Sequence, residues 1–317
     1  MTLDNIKEEI LKANNILILT HESPDGDAIG SSLGMMHALK SLNKNVEVVM
    51  KELPKTYAYL PGSDEIKLEP ASKINDLVIV LDCPDKNRTN KEYWNYIEDA
   101  KVRISIDHHS KNSMFADYNF VNPASPACCQ ILVNVFEYFG IEITKDIATC
   151  LLTGIITDTG GFRHSGITEE TFEFAAEALS MGINVSKIYR QALMVVTKPR
   201  FELQKIAMER MEFLADGKIS FTYITESDMK KVGMEPGDHE GIVEIGRNIE
   251  GVEVSIFLYE KEDGYKASLR SNDYVNVADV CLIFGGGGHI KAAGCTIKLP
   301  LEEAKEKIIA ETIKQLK

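Results

Sequence analysis

The sequence predicts an α/β protein: a mainly parallel sheet with helices on both faces, plus a smaller C-terminal α/β domain across a cleft. Three observations lead there. Four short runs, at 16–20, 46–50, 77–81 and 102–106, are apolar at consecutive positions and rich in Val and Ile. That is the pattern of strands buried on both faces of a parallel sheet. Helical patterns separate these runs. After residue 215 the pattern changes, to strands joined by a hairpin signal.

The elements follow in order. MTLDNIKEEILKANN reads as a charged amphipathic helix rather than a signal peptide. A helix over 29–39 carries Gly30, Ser31 and Gly34, which would let it sit close to the sheet. A helix over 127–139 has Pro126 early and Gly140 just past its end. Thr144 can cap a helix with Ile147, Cys150, Leu151, Gly154 and Ile155 on one face. Thr168 starts another, with Glu169 and Glu170 in its first turn and Gly182 as its stop. Residues 185–215 read as mostly helical, interrupted near Pro199. Strands follow at 219–224, 252–259 and 265–270, the last two flanking the turn 262-EDG-264. Helices around 239–249, 276–284 and 301–316 complete the smaller domain. The expected division is 1–184, a helical connector at 185–204, and 205–317.

A length of 317 residues suffices for two domains with real cores. A net charge of −13 leaves no basic surface for gripping long duplex nucleic acid. A small anion could still bind where local cations or metals reverse the field. Cys83, Cys128, Cys129, Cys150, Cys281 and Cys295 form no C-x-x-C pair, so they read as reduced core thiols. No apolar run approaches ~18 residues, so no membrane span is expected. The expected location is the cytoplasm. A homodimer is compatible with the sequence, which does not set the oligomeric state.

Four polar clusters sit at strand or helix ends. His21, Asp25 and Asp27 follow the first strand, in 20-THESPDGDAIGSS-32. Asp82 follows the third, in LDCPD. Asp107, His108 and His109 follow the fourth, in SIDHHSKN. Asp158 ends a helix, in TGIITDTGGFR. Each has a blander reading: Asp25 as a helix cap, Asp82 as a turn residue, the histidines as surface groups, Asp158 as a cap of Gly160-Gly161. Together they weigh differently. In an open α/β sheet the carboxyl ends of the strands line the ligand crevice. Close carboxylates there repel and need cations. A mixed carboxylate and imidazole set without thiolates suits Mn²⁺ or a related ion, and the number of ligands suits a bridged pair of ions.

The order H-x-x-x-D-x-D, a post-strand Asp, D-H-H and a helix-borne Asp resembles the DHH phosphoesterase superfamily. The stretch 285-GGGGHIKAAG-294 resembles the glycine-rich motif of the DHH-associated C-terminal domain. Size and motif wording are similar to the nanoRNase and 3′-phosphoadenosine 5′-phosphate phosphatase subfamily. The resemblance implies two divalent ions, most readily Mn²⁺. One would take His21, Asp25 and Asp82. The other would take Asp27, Asp82, His108 and Asp158, with Asp82 bridging. Asp107 would orient the site, and His109 would face the substrate phosphate.

The glycine run is neither a Walker loop nor a dinucleotide fingerprint. It reads either as a plain turn or as backbone amides of Gly286, Gly287 and Gly288 offered to an anion, with His289 as a further donor. Arg270, in 267-ASLRS-271, would add a cation, and Arg163 and Arg247 are weaker candidates. Some members of the subfamily carry two arginines on this strand, whereas here Ser268 takes the first position.

The expected activity is metal-activated hydrolysis of short oligonucleotides, diadenylate or 3′-phosphoadenosine 5′-phosphate, with closure hinged at 185–200. The alternatives are a cyclic-dinucleotide phosphodiesterase, a manganese pyrophosphatase and a non-catalytic nucleotide sensor.

Overall fold

Consecutive apolar residues make the centre of the first sheet, and the elements around them bring polar residues to one of its ends. The computed structural model describes residues 3–71, 75–164, 166–235 and 237–316. The first two residues of the expected N-terminal helix lie outside these. The chain divides into two compact units, one running to Val195 and the other starting at Val196.

The first unit runs α1 (Leu3–Lys12), β1 (Asn15–Leu19), α2 (Gly26–Ser41), β2 (Asn45–Val48), β3 (Leu77–Leu81), α3 (Trp94–Glu98) and β4 (Val102–Asp107). Then come β5 (Tyr118–Val121), α4 (Cys128–Phe139), α5 (Lys145–Asp158), α6 (Glu169–Ser180), α7 (Val185–Tyr189) and a π-helical turn at Arg190–Met194. The sheet order is β2-β1-β3-β4-β5, and every pairing is parallel. One sheet face, with Ile16, Ile18, Ile79 and Ile104, packs on α1, α2, α4 and α5. The other, with Leu17, Leu19, Val78 and Val80, packs on Tyr93 and Ile97 of the short α3 region. Helical cover on both faces is therefore present but unequal. The strand order reverses between β1 and β3, the point where ligands bind in such sheets.

β5 was not expected. Its sequence YNFV contains an asparagine, and all four residues are only half-buried at the sheet edge. The glycines of α2 were expected to approach the sheet; they approach α5 instead. A Cβ on Gly26 would stand 2.4 Å from Thr157 Oγ1, and one on Gly30 would stand 2.5 Å from the Cys150 carbonyl. One on Gly34 would meet Leu151 at 2.8 Å, and one on Gly154 of α5 would meet Cys129 Sγ at 2.3 Å. The four-residue spacing puts Gly26, Gly30 and Gly34 on one helix face. The backbones of α2 and α5 thus lie close and antiparallel, which sets the last residue of α5 beside the first turn of α2.

The second unit runs α8 (Lys198–Glu209), β6 (Glu212–Leu214), β7 (Ile219–Ile224), α9 (Glu226–Val232), α10 (Ile242–Arg247), β8 (Val254–Lys261) and β9 (Gly264–Ser271). It ends with α11 (Val277–Ile283), β10 (Gly287–His289), β11 (Ala292–Ile297) and α12 (Leu301–Ile313). The sheet order is β10-β11-β9-β8-β7-β6, with only β7 and β8 parallel. Pro199 does not break a helix. It lies in the first turn of α8, which Thr197 caps, so the interruption falls before it. The stretch expected to be helical to 215 ends in β6. The helix expected around 239–249 is confined to Ile242–Arg247. Part of the glycine run is strand β10, and β11 was missed because AAGCTI is too rich in small residues to read as an apolar run. The short α9, with its Thr225 and Asp228 capping box, was missed as well. All six cysteines are buried and free. Among the described residues no helix is long and apolar enough to cross a membrane.

Candidate functional site

The first unit gathers His21, Asp25, Asp27, Asp82, His108, His109 and Asp158 at the carboxyl ends of β1, β3 and β4. Three overlapping groups form: His21 with Asp25 and Asp82; Asp27 with His108 and Asp158; and Asp82 with His108 and His109. Within each, one ligand atom per residue lies within 4.8 Å of the others. Asp82 faces both sides. Its Oδ2 is 3.7 Å from His21 Nε2, and its Oδ1 is 3.4 Å from His108 Nε2. His108 Nε2 is also 3.4 Å from Asp158 Oδ2 and 3.9 Å from Asp27 Oδ2.

Local structure places each group. Asp25 does cap α2: its Oδ1 accepts from the amides of Asp27 and Ala28 at 3.0 and 3.1 Å. The blander reading of that residue is correct and leaves Oδ2 for the centre. Asp27 is clamped by α4, whose Cys128 and Cys129 amides donate to its two oxygens at 2.6 and 2.9 Å. That helix start has no side-chain cap of its own, so a carboxylate from α2 serves it. Asp82 has φ +51, a left-handed backbone that non-glycine residues rarely adopt and that sites store as strain. Asp158 arrives on α5 through the glycine packing described above. His108 Nδ1 lies 3.3 Å from the Ser125 carbonyl, and donating to it leaves Nε2 as the electron-pair donor. His109 Nδ1 donates to Asp107 Oδ1 at 2.7 Å, and Asn112 Nδ2 donates to Asp107 Oδ2 at 2.8 Å. Asp107 is fully buried, while His109 keeps a third of its side chain exposed.

These charges do not balance among themselves. Burial first, and neighbouring carboxylates next, push Asp27 up to about 7 and Asp158 up to about 8. Burial opposes protonation of His108, but Asp82, Asp27 and Asp158 outweigh it and raise the imidazole to about 10. Burial and then the Asp82 charge raise Asp25, although part of its surface is exposed. Like charges about 4 Å apart repel by about 4 kcal/mol in a partly screened site. Asp82 Oδ1 is moreover buried with no hydrogen-bond donor. A buried acceptor left in that state calls for a partner. Carboxylates and imidazoles without thiolates, sharing one central carboxylate, fit a pair of divalent ions.

The second unit holds Arg270, Arg247, His289 and the glycines. His289, Ala292 and Arg270 are direct partners across β10, β11 and β9, as are Gly287, Gly294 and Ser268. Alternation puts these two rows on one sheet face. The opposite face, with Ala267, Leu269, Ala293 and Cys295, belongs to the core. The first face is thus a partly exposed surface of small residues beside a guanidinium and an imidazole. The glycines separate by cause. A Cβ on Gly286 would stand 2.2 Å from the Gly294 carbonyl, and one on Gly288 would stand 2.4 Å from the Ala292 carbonyl. Those two are required by the neighbouring strand, whereas a Cβ on Gly287 would meet nothing within 4 Å. Arg163 lies in the first unit, exposed, with Nε donating to the Gly160 carbonyl at 2.7 Å.

Residues 15–155 match the DHH family, N-terminal domain, and residues 216–317 match the DHHA1 domain. A bifunctional oligoribonuclease and PAP phosphatase NrnA of Thermus thermophilus is 34% identical, over 97% of this chain and 93% of its own length. The chain belongs to the DHH family. A DHH-family relative of the same name from Bacillus subtilis is 25% identical, over 92% of this chain and 93% of that one. The crystal structure of an exopolyphosphatase-related protein from Bacteroides fragilis superposes with a TM-score of 0.92 and 30% identity, covering 98% of this chain and 95% of that one.

Three features of this DHH-family chain escaped the sequence reading. Asn112, five residues after Asp107 in SIDHHSKN, had a signal in its closeness to the histidines. Glu244 of α10, whose carboxylate lies 2.8 Å from Nε of both Arg247 and Arg270, had none, because an acidic residue on a short helix is ordinary. The Ser125 carbonyl and the Cys128 and Cys129 amides are backbone groups, which no residue type announces.

Proposed function

We propose that this chain is a phosphoesterase dependent on two divalent metal ions, and that it hydrolyses short oligoribonucleotides and 3′-phosphoadenosine 5′-phosphate. The observation that carries the reading is Asp82, a buried carboxylate shared by two groups of imidazole and carboxylate ligands at the β1/β3 switch point. His21, Asp25 and Asp82 would hold one ion, and Asp27, Asp82, His108 and Asp158 the other. Bound there, the ions would supply an activated water at neutral pH and neutralise charge on the phosphate. The imidazole ligands favour Mn²⁺ over Ca²⁺ or Mg²⁺.

The remaining roles belong to the chain's own groups. Asp107 and Asn112 fix His109 with Nδ1 turned inward, so Nε2 is the atom offered to a phosphate oxygen. In the second unit, Arg270, His289 and the open Gly287 offer donors to a phosphate of the substrate. A chain charge of −13 disfavours long polyanions and leaves recognition to such local cations. Six unpaired thiols fit the reducing cytoplasm, where we place the enzyme.

The test is one activity panel with Mn²⁺ across diadenylate, RNA of increasing length, 3′-phosphoadenosine 5′-phosphate and pyrophosphate. Rates should fall with RNA length, vanish in EDTA, and return better with Mn²⁺ than with Ca²⁺. Preferred turnover of pyrophosphate, or full activity in EDTA, overturns the reading.

A further inference from the structure

Glu244 lies on α10, which packs against β8 and β9. Gly246 lets that helix press close, since a Cβ there would stand 2.3 Å from Ser220 Oγ and 2.5 Å from Ser255 Oγ. Glu244 thereby reaches two arginines from different elements. Its Oε1 accepts from Nε of Arg270, on β9, at 2.8 Å. Its Oε2 forms an ion pair with Nε of Arg247, one turn along α10, at 2.8 Å but without hydrogen-bond alignment. One carboxylate therefore holds two guanidinium groups side by side, which would repel each other without it. Arg270 is thus hydrogen-bonded through Nε, and Arg247 is held by charge. Arg270 Nη1 also donates to the Leu269 carbonyl at 3.1 Å, and the Arg270 and Arg247 side chains stay 30% and 28% exposed, which leaves each accessible to a ligand. The triplet keeps a net charge of +1, beside the small-residue surface that also carries His289. Ser268 leaves β9 with a single arginine in this row, and the second guanidinium comes from the helix.

We propose that Glu244 is a positioning residue that gathers Arg270 and Arg247 into one clamp for a phosphate of the substrate. The proposal rests on the phosphoesterase reading above and adds a second cation to the arginine face of the second unit. The physical reason is preorganisation. A solvated arginine must be ordered when it binds, and a carboxylate that has already fixed Nε removes part of that cost. The opposite role, a carboxylate that masks the arginines and competes with phosphate, predicts the reverse sign.

The test uses the full chain and 5′-phosphorylated diadenylate, with two readouts: steady-state hydrolysis with Mn²⁺, and equilibrium binding of the same dinucleotide to metal-free protein. Glu244→Ala should raise KM and the metal-free Kd about tenfold and leave kcat within about twofold. Glu244→Gln, which keeps the shape and one acceptor, should recover part of the loss. In a background lacking both arginines, Arg247→Ala with Arg270→Ala, Glu244→Ala should add less than about twofold, because its effect runs through them. Full additivity in that background, tighter binding by Glu244→Ala, or a fall in kcat with KM unchanged overturns the assignment. If the wild type hydrolyses no oligonucleotide, the phosphoesterase reading fails separately. The metal-free Kd then decides on Glu244, and equal values for wild type and variant sink the clamp.

Discussion

The acid–histidine centre of the first unit and the arginine face of the second hold their charges in different ways. Asp27 and Asp82 are only 1% and 2% exposed. The carboxylates of the centre are fixed by backbone: Asp25 as a helix cap, Asp27 by the α4 amides, Asp82 by its left-handed turn, Asp158 by glycine packing. Arg270 and Arg247 keep 30% and 28% of their side chains exposed, and one glutamate orients them. Buried charge is costly unless neutralised, so the centre needs its whole set at once. Half-exposed charge is partly solvated already, so an arginine can be lost without stranding a buried charge. The difference separates a centre held by backbone and helix packing from a grip held by one side-chain carboxylate.

The sharpest way to break this contrast is Asp82→Asn. Asparagine tolerates the left-handed backbone but removes the shared charge. Outer partners of metal ligands cost about 10–100-fold when lost, so a carboxylate serving both groups should cost more than about a hundredfold in kcat/KM. The protein should stay folded by circular dichroism and bind fewer ions by native mass spectrometry. A folded variant with wild-type turnover would remove Asp82 from the centre.

Arg270→Ala tests the other side. A charge-assisted hydrogen bond to phosphate contributes about 1.5–3 kcal/mol, so kcat/KM on a dinucleotide should fall about ten- to hundredfold. Metal stoichiometry should not change. Arg270→Lys should recover only part, since lysine keeps the charge but not the fork. Altered Mn²⁺ binding would mean that the two regions are not separable in this way.

Glycine replacements sharpen the same comparison through stability. A Cβ on Gly154 would stand 2.3 Å from Cys129 Sγ and 2.8 Å from Asp27 Oδ1. Gly154→Ala should therefore cost about 1–3 kcal/mol of stability by overpacking. It should also weaken metal binding several-fold by moving Asp27 against Asp158. Gly287→Ala, with open space around it, should shift stability by less than about 0.5 kcal/mol. Urea titration of both variants decides; equal effects would deny that the centre is set by helix packing.

The smallest effect concerns pH. Burial raises Asp228 of α9, but hydrogen bonds from Arg210 and Thr225 outweigh it and hold the carboxyl near about 2. A depressed carboxylate adds stability above its unfolded value near about 4 and loses it as pH falls toward about 2. The second unit of Asp228→Asn should thus show a flatter stability curve between those values. An unchanged acid slope would rule out this pair as a contributor.

Much of this was legible in the chain. β1, β3 and β4 were readable because strands buried on both faces need consecutive apolar residues. The polar residues just past them were readable because short side chains at strand ends cannot reach a core. β5 and β10 lie at sheet edges, where burial no longer dictates residue type, and they were missed. β11 pairs through small residues and left no apolar period. The glycines of α2 were recognised as a close-packing face, but the partner was wrong, because spacing shows a smooth helix side without naming what lies against it.

By itself the sequence determined the parallel sheet, the clusters that end its strands, and the identity of the ligand-type residues. Those follow from local periodicity and side-chain chemistry, which neighbours in the chain express. Only the tertiary structure decided that Asp27 caps a helix 101 residues away, that α5 swings Asp158 to α2, and that Glu244 joins arginines from a helix and a strand. These depend on contacts between distant segments and on backbone amides, which every residue carries and no residue type reveals.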